Sequence, residues 1–138
     1  MTYREKAMIV ALSTTTNEAA LSGTPQEYAE LAAALKRGQG RFALVTTESV
    51  APYGVALETL SVEAVDTPTV RITVDRTTLD LSIRGPLRHL ATLGSIVRAG
   101  AESGDPKGHV HLEGFEGHDF LAEDSFSLTV HDAVEPTP

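Results

Sequence analysis

The chain has 138 residues, of which 11 are basic and 19 acidic, and its formal net charge is −8. This length suits one domain, and 41% hydrophobic with 22% charged residues is typical of a folded globular protein. The acidic balance disfavours nucleic acid and anionic membranes as partners, because both require a surface rich in Lys and Arg. The absence of cysteine excludes disulfides, thiolate zinc sites and cysteine nucleophiles.

The apolar run near the N-terminus, Met8–Leu12, is shorter than the ~7–15 residues of a signal-peptide core. No run approaches the ~18 apolar residues that a transmembrane helix needs. We therefore expect a cytoplasmic protein.

The first elements are a strand and a helix. Ala7–Ser13 is apolar on both alternating faces, which favours a buried strand, and the small, polar stretch Thr14–Ser22 indicates a loop. Thr24 and Glu27 then form a T-x-x-E capping box, which predicts the start of a helix that ends at Gly38.

Three strand signals follow. Arg41–Thr47 is predicted to be a strand, and Val55–Val65 a strand with a bulge near Thr59-Leu60. Thr69–Arg84 alternates cleanly and predicts a hairpin. A turn centred on Arg76-Thr77 would pair Val74 with Leu79, Ile72 with Leu81, and Val70 with Ile83.

A second helix is predicted from Gly85-Pro86 to about Gly100–Gly104. Its expected buried stripe consists of Leu87, Leu90, Ala91, Gly94 and Val97. Two last strands, His109–Glu113 and Ser125–His131, complete the chain.

The predicted order β-α-β-β-β-α-β-β indicates a single α+β domain over residues 1–132, with a mainly antiparallel sheet and two helices packed on one face. The tail 133–138 has two prolines and no apolar pattern, so we expect it to be disordered.

The strand at His109–Glu113 offers one candidate site. His109, His111 and Glu113 point to the same face, and His131 would lie near His109 if the last two strands pair. A His-x-His strand is a spacing that metal sites use, so His109, His111 and His131 are a candidate metal set. The simpler interpretation is the solvated face of an amphipathic hairpin.

The connection Gly114–Asp124 offers the other candidate. Residues 102–135 contain nine acidic residues against one lysine, which equals the whole net charge of the chain. Aromatic anchors inside an acidic rim would suit a basic partner, and a solvated loop with Phe120 and Leu121 in the core is the alternative. The candidate partner-binding residues are Glu116, Asp119, Glu123, Asp124, Phe115 and Phe120.

None of the common catalytic motifs occurs, including GxSxG, GxxxxGK[ST], HExxH and the EF-hand spacing. The sequence therefore does not favour an enzyme, and it calls for no cofactor.

Two stretches together resemble the immunity proteins of bacterial polymorphic toxin systems, in particular immunity protein family thirty-two. The first is Leu21–Leu31 (LSGTPQEYAEL). The second is Gly108–Glu113 (GHVHLE), followed by Phe120–Ser125 (FLAEDS) and a final apolar strand. The resemblance implies a small cytoplasmic protein without catalysis that binds and neutralises a cognate toxin.

An acidic loop could occupy the basic cleft of a toxin that attacks nucleic acid, so the cognate toxin is expected to be basic. Two alternatives remain open at this point. One is a metal- or small-molecule-binding protein built on the His-x-His strand, and the other is a homo-oligomer joined through an exposed strand edge.

Overall fold

The computed structural model describes residues 8–46, 54–103, 108–114 and 120–131. Within these ranges lie two helices, α1 (Pro25–Arg37) and α2 (Leu87–Ser103), and nine strands. The strands are β1 (Ile9–Leu12), β2 (Glu18–Ser22), β3 (Gln39–Ala43), β4 (Val55–Ala56), β5 (Thr59–Ala64), β6 (Arg71–Asp75), β7 (Asp80–Gly85), β8 (His109–Leu112) and β9 (Ser127–His131). The tail 133–138 and three candidate residues, Phe115, Glu116 and Asp119, lie outside the described residues.

The strands form two sheets, with the orders β4-β1-β2-β9-β8 and β3-β5-β7-β6. Five of the seven described strand pairings are antiparallel, whereas β2–β9 and β5–β7 are parallel. The prediction of an α+β fold with two helices and mainly antiparallel pairing is therefore confirmed. The predicted order is incomplete, since it has six strands and assumes one sheet.

The capping box of α1 is present. The Thr24 side chain accepts the Glu27 N–H, and the Glu27 carboxylate accepts the Thr24 N–H at 3.1 Å. The other carboxylate oxygen of Glu27 accepts the Met8 N–H at 3.1 Å, so the same residue also ties the start of β1 to the helix. Gly38 ends α1 in the left-handed conformation, with φ of 78°.

Strand β2 corrects the prediction that Thr14–Ser22 is a loop. Its central residues Ala19, Ala20 and Leu21 are buried. Alanine has a low strand propensity, so the local sequence gives little sign of a strand. Long-range pairing decides instead, because β2 lies between β1 and β9 and hydrogen-bonds to both.

Two chain segments pass from one sheet to the other and join them. The segment 55–64 forms β4 in the first sheet and β5 in the second, and the break falls at Leu57-Glu58. This change of sheet accounts for the imperfect alternation that we interpreted as a bulge. The segment 120–131 pairs first with the outer edge of β6 and then enters the first sheet as β9.

The β6–β7 hairpin has the predicted faces but a different register. Ile72 pairs with Ile83 and Val74 with Leu81, a shift of two residues from the expected pairs. The turn spans residues 76–79 rather than two residues, and Leu79 adopts a positive φ of 57°. A shift of two preserves the alternation, so the apolar face still points to the core.

The carboxylate of Asp75 holds this turn. It accepts the N–H groups of Thr77 at 2.8 Å and Thr78 at 3.2 Å. These hydrogen bonds, the one from Thr77 first, lower the pKa of Asp75 below its ordinary value of 3.8.

The described residues share one hydrophobic core, to which both sheets and both helices contribute. On α2 the buried stripe contains Leu90, Leu93 and Val97. The prediction that Leu87 belongs to this stripe is wrong, since Leu87 is 49% exposed. No described helix has both the length and the apolar character needed to cross a bilayer.

Candidate functional site

Residues 120–126, which include the end of the predicted acidic connection Gly114–Asp124, run along the outer edge of β6. The Val70 N–H donates to the Phe120 carbonyl at 2.7 Å, and the Ala122 N–H donates to the Val70 carbonyl at 2.8 Å. The Phe126 N–H then donates to the Ile72 carbonyl at 2.8 Å. Leu121 is buried, so this segment is fixed by both backbone hydrogen bonds and a core side chain.

A tight turn at Ala122–Ser125, here called the acidic turn, carries Glu123 and Asp124. It is closed by the Ser125 N–H, which donates to the Ala122 carbonyl at 3.1 Å. The Ser125 hydroxyl accepts the Ile72 N–H at 3.1 Å and so anchors the turn to β6. Both carboxylates of the turn are exposed.

Asp124 has a specific partner on β6. Its Oδ1 accepts a hydrogen bond from Arg71 Nε at 3.1 Å, with 57% of the arginine side chain and 65% of the aspartate side chain exposed. An ion pair this exposed contributes little to stability. It orients the Asp124 carboxylate while leaving most of its surface open to a partner.

Gly114 allows the end of the β8 segment to approach the acidic turn. A Cβ at this position would lie 2.0 Å from the Ala122 carbonyl oxygen and 3.0 Å from its carbon. This close backbone contact is the reason that glycine is required here.

Phe120, a predicted aromatic anchor, is half-buried and packs beside the core. Its ring centroid lies 6.2 Å from that of His89 on α2. In the described part of this connection Leu121 enters the core, whereas Glu123 and Asp124 face solvent.

The three candidate histidines come together on the β8–β9 hairpin. His109 pairs with His131 across the two strands, as the alternation predicts, and the described part of the sheet ends at β8. The ring centroids of His109 and His111 are 4.8 Å apart, and those of His109 and His131 are 6.0 Å apart. All three side chains are exposed, and we call this set the imidazole face.

The hydrogen bonds and neighbours of the imidazole face show how it is held. His111 Nδ1 lies 2.9 Å from the Thr129 hydroxyl on β9. A cleft of about 160 Å³ beside the hairpin is lined by His111, Glu113 and Glu18, together with Leu112, Ser127, Leu128 and Thr129. Among the residues that the structure describes, no group of three or more His, Asp or Glu side chains is arranged to hold a metal ion.

Sequence reasoning missed the role of β6 in the site. The predicted hairpin Thr69–Arg84 contains Arg71 but gives it no partner, and Asp124 lies 53 residues further along the chain. No local pattern signals such a contact. The one indication is general: the unpaired backbone groups at a strand edge such as that of β6 are commonly covered by another segment.

The fold and these surfaces define a class of α+β domain in which two sheets are joined by the chain and a charged turn is displayed at one sheet edge. The family model described as Immunity protein 32 matches residues 80–133, and this is the family that the sequence resembles. The match covers 54 of the 138 residues, from β7 to the end of β9, and all nine candidate residues lie inside it. Neither the curated proteins nor the solved structures gave a match to this chain.

Proposed function

We propose that this chain is an immunity protein that binds and neutralises a cognate bacterial toxin in the cytoplasm, without catalysis of its own. The observation that carries the proposal is the match to the Immunity protein 32 family over residues 80–133. Residues 80–133 contain nine acidic and four basic residues, so they carry −5 of the net charge of −8. The match and the charge distribution therefore favour the same surface.

The proposed contact surface is centred on the acidic turn. Glu123 and Asp124 extend into solvent from a backbone that is hydrogen-bonded to β6, so binding would cost little additional ordering of this segment. Glu116 and Asp119 would add to the same negative surface, with Phe115 or Phe120 as aromatic anchors. Such a surface would steer a basic toxin toward it and occupy a cleft that otherwise holds an anionic substrate.

The direct test is to search the neighbouring genes for a toxin domain and to co-express that domain with this chain. Growth should be arrested by the toxin domain alone and restored by this chain. The purified pair should also form a stoichiometric complex in size-exclusion chromatography. Growth arrest that persists despite soluble expression of this chain would refute the proposal for that toxin.

The surface itself is tested by replacing Glu116, Asp119, Glu123 and Asp124 with alanine. The matched control replaces four exposed acids outside the family match with alanine, so that the net charge changes by the same amount. These acids are Glu30, Glu58, Glu63 and Asp66. Loss of protection in the first variant and its retention in the control would support the acidic surface. Protection by both variants would contradict it, even if the toxin is bound elsewhere.

A further inference from the structure

A surface cleft lies on the polar face of the second sheet, at the end of the β6–β7 hairpin away from its turn. Its volume is about 330 Å³. The lining residues are Val65, Thr67, Pro68, Thr69, Arg71, Thr73 and Arg84. This lining has two arginines and no carboxylate, in a chain whose net charge is −8.

The two arginines face each other directly. Arg71 on β6 pairs with Arg84 on β7, so both guanidinium groups project from neighbouring positions on the same face. Like charges directly opposite each other in a ladder are destabilising. Their repulsion is relieved from outside the cleft, where Asp124 contacts Arg71 and Glu63 contacts Arg84 at 2.8 Å.

Both carboxylates contact their arginine at Nε. Within the described part of the chain, the terminal amino groups of Arg71 and Arg84 donate no hydrogen bond. Each guanidinium is therefore held along one side, while its remaining donors are available to a ligand. Guanidinium donors match the oxygens of carboxylates and phosphates, which makes arginine the preferred side chain for such groups.

Threonines supply neutral polar groups in the same cleft. Thr73 lies two residues from Arg71 and shares its face of the sheet, and the Thr67 hydroxyl donates to the Thr69 carbonyl at 3.0 Å. A hydroxyl group can donate to an oxyanion without adding charge, and Thr73 is the candidate donor, because Thr67 already donates its one hydroxyl proton to the Thr69 carbonyl. The lining of the cleft thus combines two guanidinium groups with hydroxyl groups and contains no acidic side chain.

We infer that the cleft between Arg71 and Arg84 binds a small oxyanion, either a phosphate or the carboxylate of an acidic side chain. A bound oxyanion would accept hydrogen bonds from the terminal amino groups of both guanidinium groups, which Asp124 and Glu63 do not contact. This site adjoins the acidic turn through the ion pair between Arg71 and Asp124, but the inference does not depend on that turn binding a toxin.

The test is a titration of the ¹⁵N-labelled full chain with inorganic phosphate and, separately, with acetate at constant ionic strength and pH. The arginine Nε–Hε signals and the backbone amides of β6 and β7 report binding. We expect saturable shifts at Arg71 and Arg84. Tighter phosphate binding would identify a phosphate ligand, and tighter acetate binding would identify a side-chain carboxylate.

Variants separate this site from general attraction to positive charge. Arg71→Gln and Arg84→Gln should each weaken binding by roughly two- to fivefold, in line with the loss of one exposed charged contact. Arg41→Gln is the control, because Arg41 is exposed on β3 of the same sheet but does not line the cleft. Arg84→Lys keeps the positive charge but lacks the planar guanidinium group, so its affinity should lie between those of the wild type and Arg84→Gln.

Shifts that do not saturate with either ion would overturn the inference. So would an equal loss of affinity in the Arg41→Gln control. The dispersion of the amide spectrum shows whether each variant is folded. If a glutamine variant is unfolded, the affinity of Arg84→Lys still tests the contribution of the Arg84 guanidinium to binding.

Discussion

Arg71 Nε donates to the Asp124 carboxylate at 3.1 Å and links the solvent-exposed face of β6 to the acidic turn. Because both side chains are more than half exposed, we expect the pair to orient the turn rather than to stabilise the fold. A double-mutant cycle with Arg71→Ala and Asp124→Ala should give a coupling below about 1 kcal/mol in urea unfolding. A coupling of several kcal/mol would show that the pair is structural, and binding data from Asp124 variants would then need correction for stability.

Tyr28 connects α1 to the ends of two strands. Its fully buried hydroxyl lies within hydrogen-bonding distance of the carbonyls of Leu21, at 3.2 Å, and of His131. Tyr28→Phe keeps the ring and removes the hydroxyl, so the free energy of unfolding should fall by about 1 kcal/mol. Chemical unfolding followed by circular dichroism measures this change. A variant as stable as the wild type would show that the hydroxyl makes no net contribution.

Gly114 should not tolerate a side chain. A Cβ would lie 2.0 Å from the Ala122 carbonyl oxygen, and backbone atoms cannot move aside as a flexible side chain can. Gly114→Ala should therefore lower the free energy of unfolding by about 1–3 kcal/mol, the usual cost of overpacking.

The control for this prediction is Gly23→Ala. Its added Cβ would meet only side-chain atoms, the nearest at 3.1 Å on Tyr28, so a smaller loss is expected. Equal losses in the two variants would contradict the close approach between Gly114 and the acidic turn.

Asp75 makes the β6–β7 turn sensitive to pH. Its pKa is lowered in the folded state by hydrogen bonds from Thr77 and Thr78, so its contribution to stability is complete above the unfolded value of 3.8. That contribution is lost as the pH falls through the lower folded value. Asp75→Ala should therefore reduce Tm most near neutral pH, and the difference from wild type should shrink in acid.

A matched series with Asp66→Ala separates this effect from general charge, because Asp66 is also an exposed acid. A Tm difference for Asp75→Ala that stays constant from pH 7 to below 3.8 would contradict the turn interpretation.

The imidazole face tests the metal-binding alternative. His109, His111 and His131 are neighbours, but no described group of three or more ligands is arranged around a metal position. We expect neither the wild type nor His111→Ala to bind zinc stoichiometrically in elemental analysis and calorimetric titration. One zinc per chain that is lost in His111→Ala would support the alternative.

The features predicted correctly from sequence are those fixed by neighbouring residues. The capping box depends only on Thr24 and Glu27, which are three positions apart in the chain, and it is present as predicted. The alternation of β8 and β9 likewise placed His109 opposite His131. In both cases the deciding interactions repeat at a spacing that the sequence displays.

The features missed depend on contacts between distant segments. β2 is a strand because β1 and β9 flank it, although its alanines give a weak local signal. The β6–β7 register is an exception, because the hydrogen bonds to the Asp75 side chain that select the longer turn are local. The contact between Arg71 and Asp124 depends on the path of a 53-residue connection, which no local periodicity encodes.

The most direct test of the toxin-binding account is the dissociation constant of the complex with the neighbouring toxin domain for the variant Glu123→Gln/Asp124→Asn. The control Glu30→Gln/Asp66→Asn alters two exposed acids that lie outside the family match. If the acidic turn contacts the toxin, Kd should rise about tenfold or more for the acidic-turn variant, with a weaker dependence on salt, and should stay near the wild-type value for the control. An unchanged Kd in the acidic-turn variant would contradict binding through the acidic turn.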